Sequence, residues 1–456
     1  MSTIASISTA PGIGGIGIIR MSGKECFNIL DKIFKAKNPQ KIDEIKGYTI
    51  KYGNIVDNEN IVDEVLVSYF KAPKSYTAEN MCEINTHGGN IVLKKILELC
   101  LKNGAEMAQP GEFTQRAFLN GRIDLVQAES VIDIINAKSE KEAQTGIKQL
   151  EGELSKKIKE IKQDILDVLV NIEVSIDYPE YDIEEVQNEE ALNMLDKVKA
   201  KLQLLEKSFD SGKILKNGIK TAIIGKPNAG KSSLLNAILK EDRAIVTEFK
   251  GTTRDTIEEM VNLNGIPINL VDTAGIRETT DEVEKIGIKK SRKIAEEADL
   301  LIAIFDSSTD LEQEDLEILD MIKNRKSIII LNKIDLNQKI KEDDIRLTEV
   351  TSNIISISAL NKIGIEKLAS TIEKLFNFNE IQLDNELVVT NVRHKNLITK
   401  AIKNTEDARM ALKQNMPIDI VTIFIKNIMD DMGEITGEIT TEDVINEIFS
   451  KFCLGK

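Results

Sequence analysis

The stretch Gly225-Lys226-Pro227-Asn228-Ala229-Gly230-Lys231-Ser232 has the residue types and spacing to cradle a row of phosphates. It fits G-x-x-x-x-G-K-[ST], in which glycines let successive backbone N–H groups curl around an anion. The apolar run Thr221-Ala222-Ile223-Ile224 before it reads as a buried strand. Residues 233–239 after it read as a helix, whose N-terminus adds positive potential. Lys231 would reach the β- and γ-phosphates and Ser232 would hold Mg²⁺. The bland alternative is a chance glycine turn, and the strand–loop–helix setting speaks against it.

Four further strings narrow the chemistry. Asp272-Thr273-Ala274-Gly275 follows an apolar run, where a carboxylate would act on Mg²⁺ and the Gly275 N–H on a γ-phosphate. Asn332-Lys333-Ile334-Asp335 also follows an apolar run. Its Asp335 carboxylate can accept two hydrogen bonds from guanine N1 and N2, which adenine does not offer. Ser358-Ala359-Leu360 would support the base, and Gly251-Thr252-Thr253-Arg254-Asp255 supplies a switch threonine. In this order and spacing the strings predict a GTPase. The residue after Asp-x-x-Gly is Ile276, which cannot polarise water as a glutamine there would. Arg277, Glu278, Asp281, Glu282 and Glu284 are candidates for placing the water, and Arg254 for an arginine finger in cis; a solvated helix face is the alternative for each acid.

These residues need a sheet with helices on both faces. Candidate strands at 220–224, 266–271, 300–305, 327–331 and 354–357 are near-continuous apolar runs, as a doubly wound parallel sheet requires. The first 118 residues read as an α+β unit with strands at 4–7, 16–20 and 65–70 and a strand ending in a turn over 82–89. Pro11-Gly12-Ile13-Gly14-Gly15 between the first two is a glycine turn without the Lys-Ser/Thr of a phosphate loop. His87, one of two histidines, shows no acid or metal partner in the sequence and reads as structural. Leu154, Ile158, Ile161, Ile165, Val168 and Ile172 recur at helical spacing, as do Leu195, Val198, Leu202, Leu205 and Phe209, with a break at Tyr178-Pro179. From residue 390 the chain is helical again, with spans at 391–414, 418–432 and 441–452, the last opened by Thr440-Thr441-Glu442-Asp443. The reading is a multidomain α/β chain: an N-terminal α+β domain (1–118), an α-helical domain split into 119–215 and 379–456, and an inserted Ras-like nucleotide domain (216–378).

Composition sets bounds on partners. In 456 residues the formal net charge of −15 argues against non-specific nucleic-acid binding by the surface as a whole. The four cysteines, Cys26, Cys82, Cys100 and Cys453, lack C-x-x-C spacing and read as reduced thiols of a cytoplasmic protein. No signal-peptide pattern and no apolar run of membrane-spanning length are present, so no membrane association is expected.

Strings outside the nucleotide motifs carry a resemblance. They are residues 10–20 (APGIGGIGIIR), Tyr76-Thr77-Ala78-Glu79, His87-Gly88-Gly89, residues 110–118 (PGEFTQRAF), Asn120-Gly121-Arg122-Ile123-Asp124-Leu125, Ile176-Asp177-Tyr178-Pro179 and the terminal Phe452-Cys453-Leu454-Gly455-Lys456. With these the chain resembles the MnmE (TrmE) family of tRNA-modification GTPases over essentially its whole length. The resemblance implies an N-terminal domain that dimerises and binds a 5-formyl-tetrahydrofolate-type one-carbon donor through Arg20, Glu79, Arg122 and Lys456. Cations suit the glutamate-tail carboxylates and a carboxylate suits the pterin N–H groups. Arg122 stands where some relatives carry lysine, and Leu454 departs mildly from the usual Cys-Ile-Gly-Lys ending. Cys453 is implied to lie near the modification chemistry.

The resemblance also implies guanine-nucleotide contacts at Asn228, Ala229, Gly230, Lys231, Ser232 and Ser233. It extends them to Thr247, Glu248, Phe249, Lys250, Gly251, Thr252 and Thr253, to Asp272, Thr273, Ala274 and Gly275, and to Asn332, Lys333, Asp335, Ser358 and Ala359. Mg²⁺ falls to Ser232 and Thr253. K⁺ falls to Asn228, Thr247, Phe249 and Thr252, where an arginine finger would otherwise put charge. Glu284 becomes the water-orienting acid and Arg254 a switch residue. The implied activity is potassium-activated GTP hydrolysis driven by dimerisation of the nucleotide domains. The implied outcome, with an FAD-dependent MnmG-type partner in a heterotetramer, is an aminomethyl-type group at C5 of the wobble uridine (U34) of certain tRNAs. A non-modifying RNA-binding switch is the rival reading; it calls for a basic RNA-binding domain, which the sequence does not show.

Overall fold

The computed structural model describes residues 1–41, 44–177, 184–239, 259–263, 266–271, 298–376 and 389–456. These fall into two compact units, one of Met1–Ile132, Gln149–Val170 and Thr422–Lys456, the other of Asp133–Lys148 and Asn171–Val421.

The first unit is built on a seven-stranded sheet. Its strands are β1 (Ile4–Ile7), β2 (Gly17–Ser22), β3 (Phe34–Ala36), β4 (Thr49–Asp57), β5 (Asn60–Phe70), β6 (Met81–Thr86) and β7 (Glu106–Met107), in the spatial order β3-β4-β5-β6-β2-β1-β7. All neighbours pair antiparallel except β1 and β7. β1, β2, β5 and β6 were predicted from their apolar runs, whereas β4 was not. β4 buries Ile55 and Val56 while exposing Ile50 and Tyr52, and a register shift between Ile55 and Val56 interrupts the alternation that marks a strand. One face of the sheet is closed by helices Cys26–Ile33 and Asn90–Lys102, through Phe27, Leu30, Ile96 and Cys100 against Ile19, Val67 and Ile84. The C-terminal helix, Glu442–Ser450, ends two residues short of the expected Phe452. Phe449 and Phe452 rings lie 5.3 Å apart at the turn, and Thr441 is the N-cap residue without a side-chain cap bond.

The second unit carries a six-stranded sheet. Its strands are β8 (Ile219–Ile224), β9 (Glu259–Leu263), β10 (Ile266–Leu270), β11 (Leu300–Asp306), β12 (Ser327–Asn332) and β13 (Ile354–Ser356), ordered β13-β12-β11-β8-β10-β9. All pairings are parallel except that of β9, an antiparallel edge strand. Alternate residues serve two cores. Ile302, Ile304 and Ile223 pack with Leu234, Ile238 and Leu368 on one face. Leu301, Ala303, Phe305 and Ala222 pack with Leu319, Ile322 and Leu347 on the other. Burial on both faces is why these strands read as unbroken apolar runs. In the same unit helices Glu184–Asn217 and Val392–Lys413 are tied by ion pairs Lys199–Glu406 and Asp196–Arg409, both 2.7 Å. The apolar stripes read from the sequence at 154–172 and 195–209 are buried. The predicted helix break at Tyr178-Pro179 lies outside the described residues.

Candidate functional site

In the second unit the loops that leave β8, β11, β12 and β13 meet at the carboxyl edge of the sheet, where open α/β sheets bind ligands. β8 delivers the loop 225–230 and helix Lys231–Leu239 takes up its end. Asn228 has φ +62° and Gly230 φ +107°. A Cβ on Gly230 would stand 2.0 Å from Asn332 Nδ2, so no other residue fits without displacing the loop or the Asn332 amide. Lys231 Nζ donates to the carbonyls of Gly225 (2.7 Å) and Lys226 (2.9 Å). Burial pulls this ammonium below its ordinary pKa, a state that an arriving anion reverses. Ser232 and Ser233 are exposed in the first helical turn.

Asn332 ends β12 and is buried. Its Nδ2 donates to Ala229 O at 2.9 Å, and its Oδ1 accepts from Ala359 N–H at 3.0 Å. One amide thus joins the phosphate loop to the loop after β13. Lys333 follows with φ +65°, a strained value for lysine that persists only when its surroundings hold it. Its Nζ lies 2.5 Å from Asp306 Oδ2. Asp306 also accepts from the Ser308 amide and hydroxyl. Burial pushes the Asp306 carboxyl up, but the bonds from Lys333 and Ser308 outweigh it and hold the group below its ordinary value of 3.8. The pair's stabilisation is therefore complete above pH 3.8 and is lost as pH falls through the lowered value. Asp335 is oriented by Ser358 Oγ, which donates to its Oδ1 at 2.6 Å. The structure thus brings Ala229, Gly230, Lys231, Asn332, Lys333, Asp335, Ser358 and Ala359 to one edge. Asp306 was not singled out by motif, although its place at the end of a parallel strand marks it. The expected residues Thr247, Glu248, Phe249, Lys250, Gly251, Thr252, Thr253, Arg254, Asp272, Thr273, Ala274, Gly275, Ile276 and Glu284 lie outside the described residues.

The first unit holds a second polar cluster, in which Glu79 is the fixed point. Its Oε2 accepts from Ser22 Oγ at 2.9 Å and from Arg116 Nη1 at 3.1 Å. Arg116 is buried, pairs with Glu112 at 2.7 Å and also donates to Ser2 O. Arg20 is not a free cation. Its Nε and Nη2 donate to Glu83 Oε1 at 2.9 and 2.8 Å, and its Nη1 donates to Gly455 O at 3.1 Å. Its guanidinium carbon lies 5.4 Å from the Tyr76 ring centre and 5.6 Å from that of Phe113, and the Arg122 guanidinium covers Tyr76 at 4.7 Å.

The C-terminal tail completes this cluster. Gly455 O also accepts from Ser8 Oγ, and Gly111 N–H donates to Cys453 O. Gly455 has φ +87°, and a Cβ there would lie 2.5 Å from Ile7 O. Lys456 is half-buried; burial first, then the Arg20 charge, hold its ammonium below the ordinary lysine range, partly offset by Glu83. All four expected residues, Arg20, Glu79, Arg122 and Lys456, belong to this unit. Glu83, Arg116, Tyr76 and Phe113 also belong to this cluster and were not among the expected residues. Cys453 is exposed, whereas Cys26, Cys82 and Cys100 are buried, and all four thiols are free. His87 does acquire an acid partner. β5 brings Asp63 Oδ1 to 2.6 Å from its Nδ1, which raises the imidazole pKa through that hydrogen bond and its charge. Among the described residues no helix is long and apolar enough to cross a membrane, and no group of His, Cys, Asp and Glu is arranged to hold a metal ion.

A parallel sheet with a phosphate loop at its carboxyl edge, joined through an Asn-Lys-x-Asp strand end, defines a P-loop nucleotide-binding protein. Two family models match the chain, the MnmE helical domain over residues 125–453 and the GTP-binding protein TrmE N-terminus over residues 3–122. The chain belongs to the MnmE (TrmE) family. It is 51% identical over 454 residues to the tRNA modification GTPase MnmE of Clostridioides difficile (strain 630), covering 100% of this chain and 99% of that protein. It is 49% identical over 456 residues to the tRNA modification GTPase MnmE of Acetivibrio thermocellus, with the same coverage of both chains. Among solved structures, the G domain of the T. maritima FeoB iron transporter is 27% identical over 34% of this chain and 98% of its own, with a TM-score of 0.26.

Replacing Asn332 by alanine leaves the buried Ala229 carbonyl and Ala359 amide without their partner, at about 1–3 kcal/mol for each buried group. Asn332→Ala is expected to weaken guanine-nucleotide binding by about two orders of magnitude. Titration with a fluorescent GDP analogue checks this, and an affinity equal to wild type would contradict it.

Proposed function

We propose that the chain hydrolyses GTP to GDP and phosphate and couples that reaction to modification of tRNA. The observation that carries the nucleotide reading is the Asn332 amide, which sets the phosphate loop and the Asp335–Ser358 pair in one frame. Asp335, held by Ser358, would accept from guanine N1–H and the 2-amino group. Lys231 and the N–H groups of 229–233 would receive the β- and γ-phosphates, and the anion would offset the desolvation of Lys231.

Water attacks the γ-phosphorus as the bond to the β–γ bridging oxygen breaks, so GDP leaves and inorganic phosphate remains. Glu284 would orient that water, in place of the glutamine that Ile276 replaces. Ser232, at the opening of the helix, suits a Mg²⁺-bound hydroxyl, with Thr253 and Asp272 as its companions. Asn228, exposed in the loop, suits a K⁺ ligand with Thr247, Phe249 and Thr252. Potassium there would supply the charge that an arginine finger places beside the β–γ bridge. Association of two nucleotide domains would complete this site, and hydrolysis would drive domain rearrangement. The nucleotide domain, 216–378, would stand inserted in a helical domain split between 119–215 and 379–456.

For the first unit we infer a site for a 5-formyl-tetrahydrofolate-type donor. Glu79, its Oε2 secured by Ser22 and Arg116, would accept from pterin N–H groups. Arg20, Arg122 and Lys456 would meet carboxylates, and Tyr76 offers a flat wall. The lowered Lys456 ammonium beside Arg20 supports an anion at this point, since one would relieve both burial and repulsion. Such a folate would supply the one-carbon unit. Installation of an aminomethyl-type (carboxymethylaminomethyl) group at C5 of the wobble uridine, U34, with an FAD-dependent MnmG-type partner would follow, in a heterotetramer built on a homodimer in the cytoplasm.

GTP turnover in matched potassium and sodium buffers tests the first reading. Potassium is expected to stimulate strongly, and Glu284→Ala to lower kcat by about two to three orders of magnitude while GDP still binds. Equal rates in the two salts would sink the cation mechanism. For the folate reading, Glu79→Gln and removal of Lys456 are each expected to weaken 5-formyl-tetrahydrofolate binding at least about tenfold in calorimetry. Unchanged binding in both would exclude this cluster as the site.

A further inference from the structure

The phosphate loop contains a second lysine, whose partners lie on another element. Lys226 Nζ is 2.8 Å from Glu312 Oε2 and 2.8 Å from Asp315 Oδ2. The Lys226 side chain is 15% exposed and that of Asp315 only 4%, so this contact is enclosed, whereas Glu312, 70% exposed, meets the same ammonium from the surface. The two acids cap helix Gln313–Ile322 reciprocally. The Glu312 side chain accepts from the Asp315 amide, and Asp315 Oδ2 accepts from the Glu312 amide at 2.9 Å. Two carboxylates against one ammonium leave Lys226 little charge to offer a phosphate. Burial works against the ammonium, and the hydrogen bonds to Asp315 and Glu312 outweigh it, holding the group charged above its ordinary range.

Lys226 acts instead through its own backbone. Its carbonyl accepts from Lys231 Nζ at 2.9 Å and from the Ala229 amide at 3.3 Å. The carbonyl that places the phosphate-binding ammonium therefore belongs to the residue whose side chain is tied to the helix after β11. Gly225, one residue earlier, is wedged against β11, since a Cβ there would lie 2.5 Å from Ile304 O. The far half of the loop is held separately, by Asn332 on Ala229 O.

We propose that Lys226 is a positioning residue for nucleotide binding: the Glu312–Lys226–Asp315 triad holds the near half of the phosphate loop and so sets where Lys231 meets the β- and γ-phosphates. The proposal rests on the reading of this loop as a guanine-nucleotide site. The mean worth of exposed ion pairs is small, but a nearly enclosed Asp315 left without its cation is costly, and that cost falls on the loop.

The test uses the full chain and methylanthraniloyl-GDP, with affinity and dissociation rate measured for wild type, Lys226→Gln, Lys226→Arg, Asp315→Asn and the Gln–Asn double variant. Asp315→Asn keeps an acceptor for the Glu312 amide, so the helix cap survives if Lys226→Gln proves poorly folded. Lys226→Gln and Asp315→Asn are each expected to weaken binding about tenfold through displacement of Lys231. The double variant should bind no worse than the weaker single, because Lys226→Gln already removes the ion pair that Asp315→Asn removes. Lys226→Arg should stay within about twofold of wild type, since a guanidinium spans two carboxylates. A Lys226→Gln variant that binds like wild type, a double variant whose losses multiply, or failure of arginine to restore affinity would each overturn the proposal. Wild-type protein that binds no methylanthraniloyl-GDP would instead remove the nucleotide reading on which it rests.

Discussion

The nucleotide site depends on one buried side-chain amide. Asn332 donates to Ala229 O and accepts from Ala359 N–H, so the loops after β8 and β13 are referenced to the end of β12 by a single planar group. An aspartate there would set a carboxylate against the Ala229 carbonyl, and a shorter residue would leave two buried backbone groups unmatched. The same amide requires Gly230, because a Cβ at that position would lie 2.0 Å from Asn332 Nδ2. The left-handed Lys333 and its bond to Asp306 follow in the next residue. The loop after β8 and the segment of Asn332 to Asp335 are thereby joined as one construction rather than two neighbouring loops.

The two units use one electrostatic device. Lys231 sits between two carbonyls and Lys456 beside Arg20, and in both cases burial is the first cause of an ammonium held below its ordinary range. A cation kept partly desolvated has lost its hydration before an anion arrives, so less solvent must be reorganised on binding. Rigid supports make this tolerable: Asn332 and Gly230 in one case, and the Gly455 carbonyl shared by Arg20 and Ser8 in the other.

Much of the nucleotide unit was legible because its strands are buried on both faces and its chemistry lies in short contiguous strings. The apolar runs at 300–305 and 327–331 correspond to β11 and β12 within one residue at the carboxyl end. The parts that were not legible depend on distant pairing. Arg20 meets Gly455, 435 residues away, and no local pattern announces that contact. His87 reads as partnerless until β5 brings Asp63 alongside it. The register shift in β4 hid a strand whose two-residue period is broken at Ile55. Arg116 stands in the sequence only as part of the string 110–118, and nothing local announces that it is the buried cation behind Glu79.

The carboxyl edge organised by Asn332 would present Asp335 to guanine. The most direct test is the base specificity of Asp335→Asn. Guanine carries an amino donor at C2 where xanthine carries a carbonyl acceptor, and an asparagine amide donates where the carboxylate accepts. Wild type is expected to bind GDP well above XDP and Asp335→Asn to reverse the order, each preference being at least about a hundredfold. A variant that keeps its preference for GDP, or a wild-type protein that binds ADP as tightly as GDP, would contradict this role of Asp335.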